Sequence, residues 1–281
     1  LVEVGTMTPR PQPGNERPRL FRLVEDEALI NRLGFNNEGL ECLIEKLQKR
    51  ISRGILGVNL GKNKDTPLED AVEDYLKGLA GTHPWADYFC VNVSSPNTED
   101  LRRLQEGDQL SGLLDRVCRQ REFLDSKTGK KTPLLIKIAP DWKDDALEQS
   151  IERLKPFPLD GIISTNTTLS RSGLNNPLSR ESGGLSGKPL LESSNRIVRT
   201  IYRELGTRMP ILGVGGIFTA EDAYQKIKAG ASAVQIYTGL VYEGPGLVMR
   251  IKKGLARLLK EEGLPNITAA IGIEANQSSQ S

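Results

Sequence analysis

The 281-residue sequence holds a single histidine, His83. That scarcity argues against a metal site built from several imidazoles and against a Ser-His-Asp triad with a choice of bases. Cysteine is nearly as scarce: Cys42, Cys90 and Cys118 are scattered, and no CxxC occurs. An odd, dispersed set fits a reduced protein and not a disulfide scaffold. Charge of one sign is missing too, since 38 Lys and Arg against 36 Asp and Glu leave +2. A nucleic-acid binder usually carries a basic excess or stripe, so that class is disfavoured. No apolar run reaches the roughly 18 residues that a membrane-spanning helix needs. A cleavable signal and a transit-peptide composition are also lacking. The first residue is Leu1, inside a strand-like run, so the chain reads as N-terminally truncated.

What is present is alternation. With 37% hydrophobic and 26% charged residues the chain can build a folded body. Seven short runs of strand-forming residues stand at Leu1–Val4, Ile55–Leu60, Tyr88–Val93, Leu134–Ala139, Gly161–Thr165, Ile211–Val214 and Ala233–Tyr237. Amphipathic stretches separate them. Leu40, Leu43, Ile44 and Leu47 recur at helical spacing, and Thr66-Pro67-Leu68-Glu69 has the form of a capping box. Further stripes begin near Leu110, Asp144, Ile197, Thr219 and Val248. Strand–helix alternation builds a parallel sheet flanked by helices. Seven units without a composition break favour a TIM-like (β/α)8 barrel over residues 1–267, its first strand lying upstream. A doubly wound sheet is the alternative, but no GxGxxG follows an early strand. Residues 6–39 and 168–190 look irregular, and loops of that length are more often functional than idle. Residues 268–281 form a small, polar tail expected to fray.

In a barrel, polar residues at the C-terminal ends of strands are the site candidates. Lys137 sits between Ile136 and Ile138 in a strand covered on both faces, so it needs a partner or a bound anion. The bland alternative is a lysine snorkelling to water. Asn59, Asn92, Asn97 and Asn166 lie at or just past strand ends. Singly, each is a common turn residue. As a set they offer neutral donors and acceptors to a planar ligand. Gly213-Val214-Gly215-Gly216 and Thr238-Gly239 stand where barrels often hold a phosphate on backbone N–H groups, although tight turns use the same glycines. His83 reads as a surface turn residue, and the three cysteines as small core fillers.

Taken together the motifs resemble dihydroorotate dehydrogenase. They are Asn31-Arg32-Leu33-Gly34-Phe35-Asn36, Gly57-Val58-Asn59-Leu60-Gly61-Lys62, Asn92-Val93-Ser94-Ser95-Pro96-Asn97-Thr98, Ile136-Lys137-Ile138-Ala139-Pro140, Thr165-Asn166-Thr167-Thr168, Gly183-Gly184-Leu185-Ser186-Gly187, Gly213-Val214-Gly215-Gly216 and Gln235-Ile236-Tyr237-Thr238. They cover nearly the whole chain in the family's order. The resemblance implies a barrel that holds FMN at its mouth and oxidises dihydroorotate to orotate in pyrimidine synthesis. It implies that Ser95 is the catalytic base. Serine is a weak base when free, so a relay through Thr98 and a water is expected. Class 1 members carry cysteine at this place, so Ser95 implies class 2, with a membrane quinone such as ubiquinone as final acceptor. Membrane attachment would come through an N-terminal segment absent here, at the mitochondrial inner membrane in eukaryotes.

By the same resemblance, Thr6, Asn59, Asn92, Lys137, Thr165, Gly187, Gly216, Tyr237 and Thr238 would hold FMN. Asn31, Arg32, Leu33, Gly34, Phe35, Asn92, Asn97, Asn166 and Thr167 would hold orotate. Leu33 stands where relatives often carry an aromatic residue, and Thr6 where serine is common. No metal and no nucleic acid is implied. Two other readings are open: a soluble class 1 enzyme, and a non-catalytic barrel that binds a phosphorylated ligand.

Overall fold

The computed structural model describes residues 1–52, 54–98, 101–105 and 107–275. In chain order the strands and helices are β1 (Val2–Met7), β2 (Leu20–Leu23), β3 (Ala28–Asn31), α1 (Gly39–Gln48), β4 (Leu56–Leu60), α2 (Ala71–Thr82), β5 (Tyr88–Asn92), α3 (Gly107–Thr128) and β6 (Leu134–Ile138). There follow α4 (Asp144–Leu154), β7 (Gly161–Ser164), β8 (Gly184–Gly187), α5 (Leu191–Leu205), β9 (Ile211–Val214), α6 (Ala220–Lys228), β10 (Ala233–Gln235), α7 (Thr238–Glu243) and α8 (Gly246–Glu261). All seven strands expected from the sequence are present. The chain divides into two compact units, one of residues 1–19, 32–138 and 152–161, the other of residues 20–31, 139–151 and 162–281.

The first unit contains the parallel strands β1, β4, β5 and β6, hydrogen-bonded in that order. Each is five or six residues of mostly apolar, β-branched or aromatic type, and β4 and β5 are buried throughout. Val58, Leu60, Phe89 and Val91 share this core with Leu79 of α2 and with Leu110, Leu113, Leu114 and Val117 of α3. Period-2 alternation sends these strand residues one way and a different set the other way. Registers pair Glu3 with Gly57, Asn59 with Cys90, and Asn92 with Lys137. One face of the four strands therefore carries Glu3, Asn59, Tyr88, Cys90, Asn92 and Lys137.

The second unit contains β9 paired in parallel with both β7 and β10. It also contains an element missing from the sequence reading. The two stretches taken as irregular, 6–39 and 168–190, each contribute to an antiparallel sheet of order β2-β3-β8. Leu23, Ala28, Ile30 and Leu185 form its own small core. The strands are four residues long and contain Arg22, Ser186 and two glycines, so their periodicity is too short to register. Helix α6 starts as expected, with the Thr219 side chain and Asp222 forming a reciprocal capping box. Residues 267–275 are anchored and do not fray: Ala270 is buried against Tyr224 and Ile227, and Glu274 pairs with Lys228. The rest of the tail lies outside the described residues.

Three sequence readings change. Thr66 does not cap a helix. Its hydroxyl donates to Asp74 at 2.7 Å, and α2 begins only at Ala71. Cys42 is half-buried, with its thiol towards Glu38, because its side of α1 stays partly open. His83 is not a surface residue. It is 1% exposed, with Nε2 2.8 Å from Asp125 and its ring stacked near Phe89. The chain turns at His83-Pro84, but the apolar α2–α3 layer covers the turn, so the imidazole needs a polar partner and finds one. Truncation to His83→Ala removes the buried ring and one of the partners of Asp125, which keeps the Thr132 N–H and Arg121. The variant is expected to lose about 2–4 kcal/mol of stability, read as a lower urea midpoint with an unchanged slope.

Candidate functional site

In the first unit the polar strand face closes into one hydrogen-bonded network. Lys137 Nζ lies 3.9 Å from Glu3 Oε1. The same oxygen accepts from Asn59 Nδ2 at 2.9 Å, and Glu3 Oε2 accepts from the Tyr88 hydroxyl at 3.0 Å. Tyr88 reaches Glu3 because residue 57 is glycine: a Cβ there would sit 2.0 Å from the Tyr88 ring. Asn59 Nδ2 also donates to the sulfur of Cys90 at 3.2 Å. Burial pushes the Cys90 thiol well up, and Glu3 adds to the shift while Lys137 opposes it. Cys90 is thus a protonated thiol inside the network and not a nucleophile.

Asn59 Oδ1 accepts from the Thr6 hydroxyl at 2.7 Å and from Asn92 Nδ2 at 3.2 Å. Asn92 Nδ2 also donates to Thr6, while Asn92 Oδ1 accepts from the backbone N–H and hydroxyl of Ser94. Both amides therefore bond chiefly within the protein. They order Thr6, Glu3 and the exit of β5, and the open group they present is small. Just beyond, Ser95 is buried and its hydroxyl oxygen accepts from the N–H of Asn97 at 3.2 Å. Arg102 Nε donates to Ser94 O and ties the far side of this loop. Thr98 Oγ1 is buried with no hydrogen-bond partner among the described residues. Asn15 joins two of the proposed substrate segments, donating to Asn97 O at 3.1 Å and accepting the turn at Gly34 against its side chain. The Phe35 ring and the Thr6 methyl both lie against Gly61. Arg32 and Leu33 lead into this turn half-buried.

The second unit gathers the remaining candidates. Thr165 is buried, with its N–H on Val214 O and its hydroxyl on Asn166 O. Asn166 Oδ1 accepts from the N–H of Thr167 at 2.7 Å, so its amide also serves a local turn. Thr238 is buried and donates to Ser186 Oγ at 2.9 Å. Tyr237, by contrast, is 71% exposed. Asn31 ends β3 opposite Gly184. Gly187 and Gly216 have φ of +105° and +77°. A Cβ at Gly216 would lie 2.5 Å from Leu191 N, the first residue of α5. The turn thus runs hard against a helix N-terminus with no side chain between them, which suits an anionic oxygen. Among the described residues no cluster of three metal-ligating side chains exists, and no helix is long and apolar enough to cross a membrane.

Sequence reasoning left Glu3, Tyr88 and Asn15 unnamed. Glu3 had a signal: it is a carboxylate inside an apolar strand run, as Lys137 is an ammonium inside another, and each such group needs a counter-ion.

Known proteins fit this arrangement. A family model described as dihydroorotate dehydrogenase matches residues 1–259. A protein of Delftia acidovorans named dihydroorotate dehydrogenase (quinone) is 50% identical over 264 residues, 92% of this chain and 76% of its own length. One from Anaeromyxobacter sp. strain Fw109-5, with the same name, is 52% identical over 277 residues, 97% of this chain and 75% of its own. Among solved structures, the Eimeria tenella enzyme in complex with ferulenol superposes with a TM-score of 0.92 at 39% identity, covering 98% of this chain and 78% of that one. Its ligand-free form gives 0.91 at 41% identity, with 97% and 81% covered. The fold is accordingly TIM-like α/β, as the alternation of strands and helices implies. Matched along nearly its whole length by the family model, by sequence relatives and by solved structures, the chain belongs to the dihydroorotate dehydrogenase family.

Proposed function

We propose that this dihydroorotate dehydrogenase uses FMN to oxidise (S)-dihydroorotate to orotate and a membrane quinone as final electron acceptor, in pyrimidine synthesis. The observation that carries this reading is the strand face of the first unit, where an ammonium, two ordered amides and a buried serine stand at the exits of adjacent parallel strands. The name shared by the bacterial relatives supports the quinone. A quinone dissolved in lipid puts the second half-reaction at a bilayer surface, which in a eukaryotic host is the mitochondrial inner membrane.

The residues present fit FMN. Gly187 and Gly216 leave backbone where a side chain would collide, which suits a phosphate. Thr165 and Thr238 flank that backbone with small polar side chains, and Tyr237 adds an exposed ring. Thr6, Asn59 and Asn92 offer hydroxyl and amide groups of fixed orientation. FMN, when bound, supplies the hydride-accepting chemistry that no amino-acid side chain has. Lys137 keeps positive charge at a place where negative charge accumulates on reduction. Glu3 holds that ammonium without cancelling it fully, since the pair is 3.9 Å apart.

Dihydroorotate must lose a proton next to a carbonyl and a hydride from the adjacent carbon. Ser95 takes the proton in this scheme. The N–H of Asn97 fixes its oxygen, and the hydroxyl of Thr98, without a hydrogen-bond partner among the described residues, lies three residues on, suited to pass the proton through a water. Asn31, Asn97, Asn166 and Thr167, with the turn from Arg32 to Phe35, supply the polar contacts that orient the flat ring.

Ser95→Ala is expected to purify yellow and to reduce its flavin with dihydroorotate more than about tenfold more slowly in single-turnover measurements. Reduction at the wild-type rate would remove Ser95 from the role of base. Lys137→Ala, which also leaves Glu3 without its cation, is expected to purify with little FMN or with a flavin that dihydroorotate reduces poorly. A yellow, fully active variant would contradict the part given to Lys137.

A further inference from the structure

One buried charge in the second unit takes no part in the scheme above. Lys226 of α6 is fully buried. Its Nζ lies 2.5 Å from Ser194 Oγ and 2.6 Å from Asn195 Oδ1, both buried in the first turn of α5. Ser194 Oγ in turn lies 3.3 Å from Gly215 O and 2.9 Å from Leu191 O. The stem of Lys226 fills the place where residue 213 would carry a side chain: a Cβ there would meet Lys226 Cδ at 2.5 Å. The first glycine of Gly213-Val214-Gly215-Gly216 is therefore explained by a lysine beneath it, and only the later two by the turn itself, with φ of +116° and +77°.

We propose that Lys226 is a positioning residue for phosphate binding: through Ser194 it fixes the Gly215–Gly216 turn against the start of α5, and it sets a buried cation behind that turn. The inference rests on the reading that this turn holds the phosphate of FMN. Among the described residues no carboxylate is bonded to this ammonium; Ser194 and Asn195 offset part of its desolvation cost, and a phosphate at the turn offsets more. The charged groups that act on it are Asp222 on its own helix, which favours the ammonium, and Arg199 on α5, which opposes it. Burial, reinforced by Arg199, outweighs Asp222 and lowers its pKa from 10.5 to about 7.

The sign of the linkage follows. A bound phosphate stabilises the ammonium and raises its pKa, so binding is accompanied by proton uptake. Affinity for the phosphate is then greatest where Lys226 is already protonated and falls as pH rises above about 7. Riboflavin, which has the same ring and no phosphate, does not share this dependence.

The test titrates the flavin-free full chain with FMN and with riboflavin from about pH 7 to about pH 9, above the second ionisation of a phosphate monoester, following flavin fluorescence. For wild type, FMN affinity should fall across this range while riboflavin affinity stays level. Lys226→Met, close in shape and uncharged, should bind FMN at least about tenfold more weakly near pH 7, bind riboflavin as before, and lose the pH slope. Should Lys226→Met fail to fold, Ser194→Ala keeps the cation and cuts its link to the turn, and should also weaken FMN selectively. An FMN-to-riboflavin preference and a pH slope equal to wild type, in whichever variant folds, would overturn the role of Lys226. Wild-type chain that binds neither flavin would overturn the flavin reading itself, and this proposal with it.

Discussion

A carboxylate and an ammonium on the polar face of four parallel strands need each other before either can serve a ligand. Glu3 and Lys137 are largely enclosed, and each alone would carry the desolvation cost of a lone buried charge. The structure meets that cost with supporting donors. Asn59 and Tyr88 both donate to Glu3, Gly57 yields its side-chain space to Tyr88, and Asn92 and Thr6 complete the bonding of Asn59. Glu3, Asn59, Asn92, Thr6 and Tyr88 are each hydrogen-bonded within the array, which fixes their orientation. The long 3.9 Å separation leaves the ammonium able to respond to a third charge.

This network also explains how much of the site was legible. Lys137, Asn59 and Asn92 stood out because a polar residue in an apolar strand run is costly, and strand ends are where such residues gather in α/β folds. The structure puts all three on one strand face and gives two of them a task within the protein. Asn59 and Asn92 spend their amides on each other, on Thr6 and on Ser94, which period-2 alternation alone does not reveal. Glu3 went unnoticed beside Val2 and Val4, since its significance depends on a residue 134 positions away, at Lys137. His83 was misread for a related reason. A Gly-Thr-His-Pro turn looks exposed in sequence, and only the packing of α2 and α3 shows that it is covered.

Local signals fared best where the chemistry is local. The Thr219–Asp222 cap needs only four consecutive residues and was legible in full. The Thr66 box also sets threonine three residues before a carboxylate but fails, because Asp74 takes the hydroxyl from within the helix. The glycine run at 213–216 lies between these cases. Its conformational demand at Gly215 and Gly216 is local, whereas the need for glycine at 213 comes from Lys226 on another helix.

The antiparallel sheet β2-β3-β8 joins segments that the chain makes at very different times. Leu29 pairs with Ser186, 157 residues later, and the small core of Leu23, Ala28 and Ile30 is closed by Leu185. During synthesis from the N-terminus, the hairpin of β2 and β3 emerges long before its third strand exists. A two-stranded ribbon of four residues a side is marginal in water, and its open edge offers unpaired backbone to any passing strand. A nascent chain therefore carries an incomplete sheet until residues 184–187 have been made.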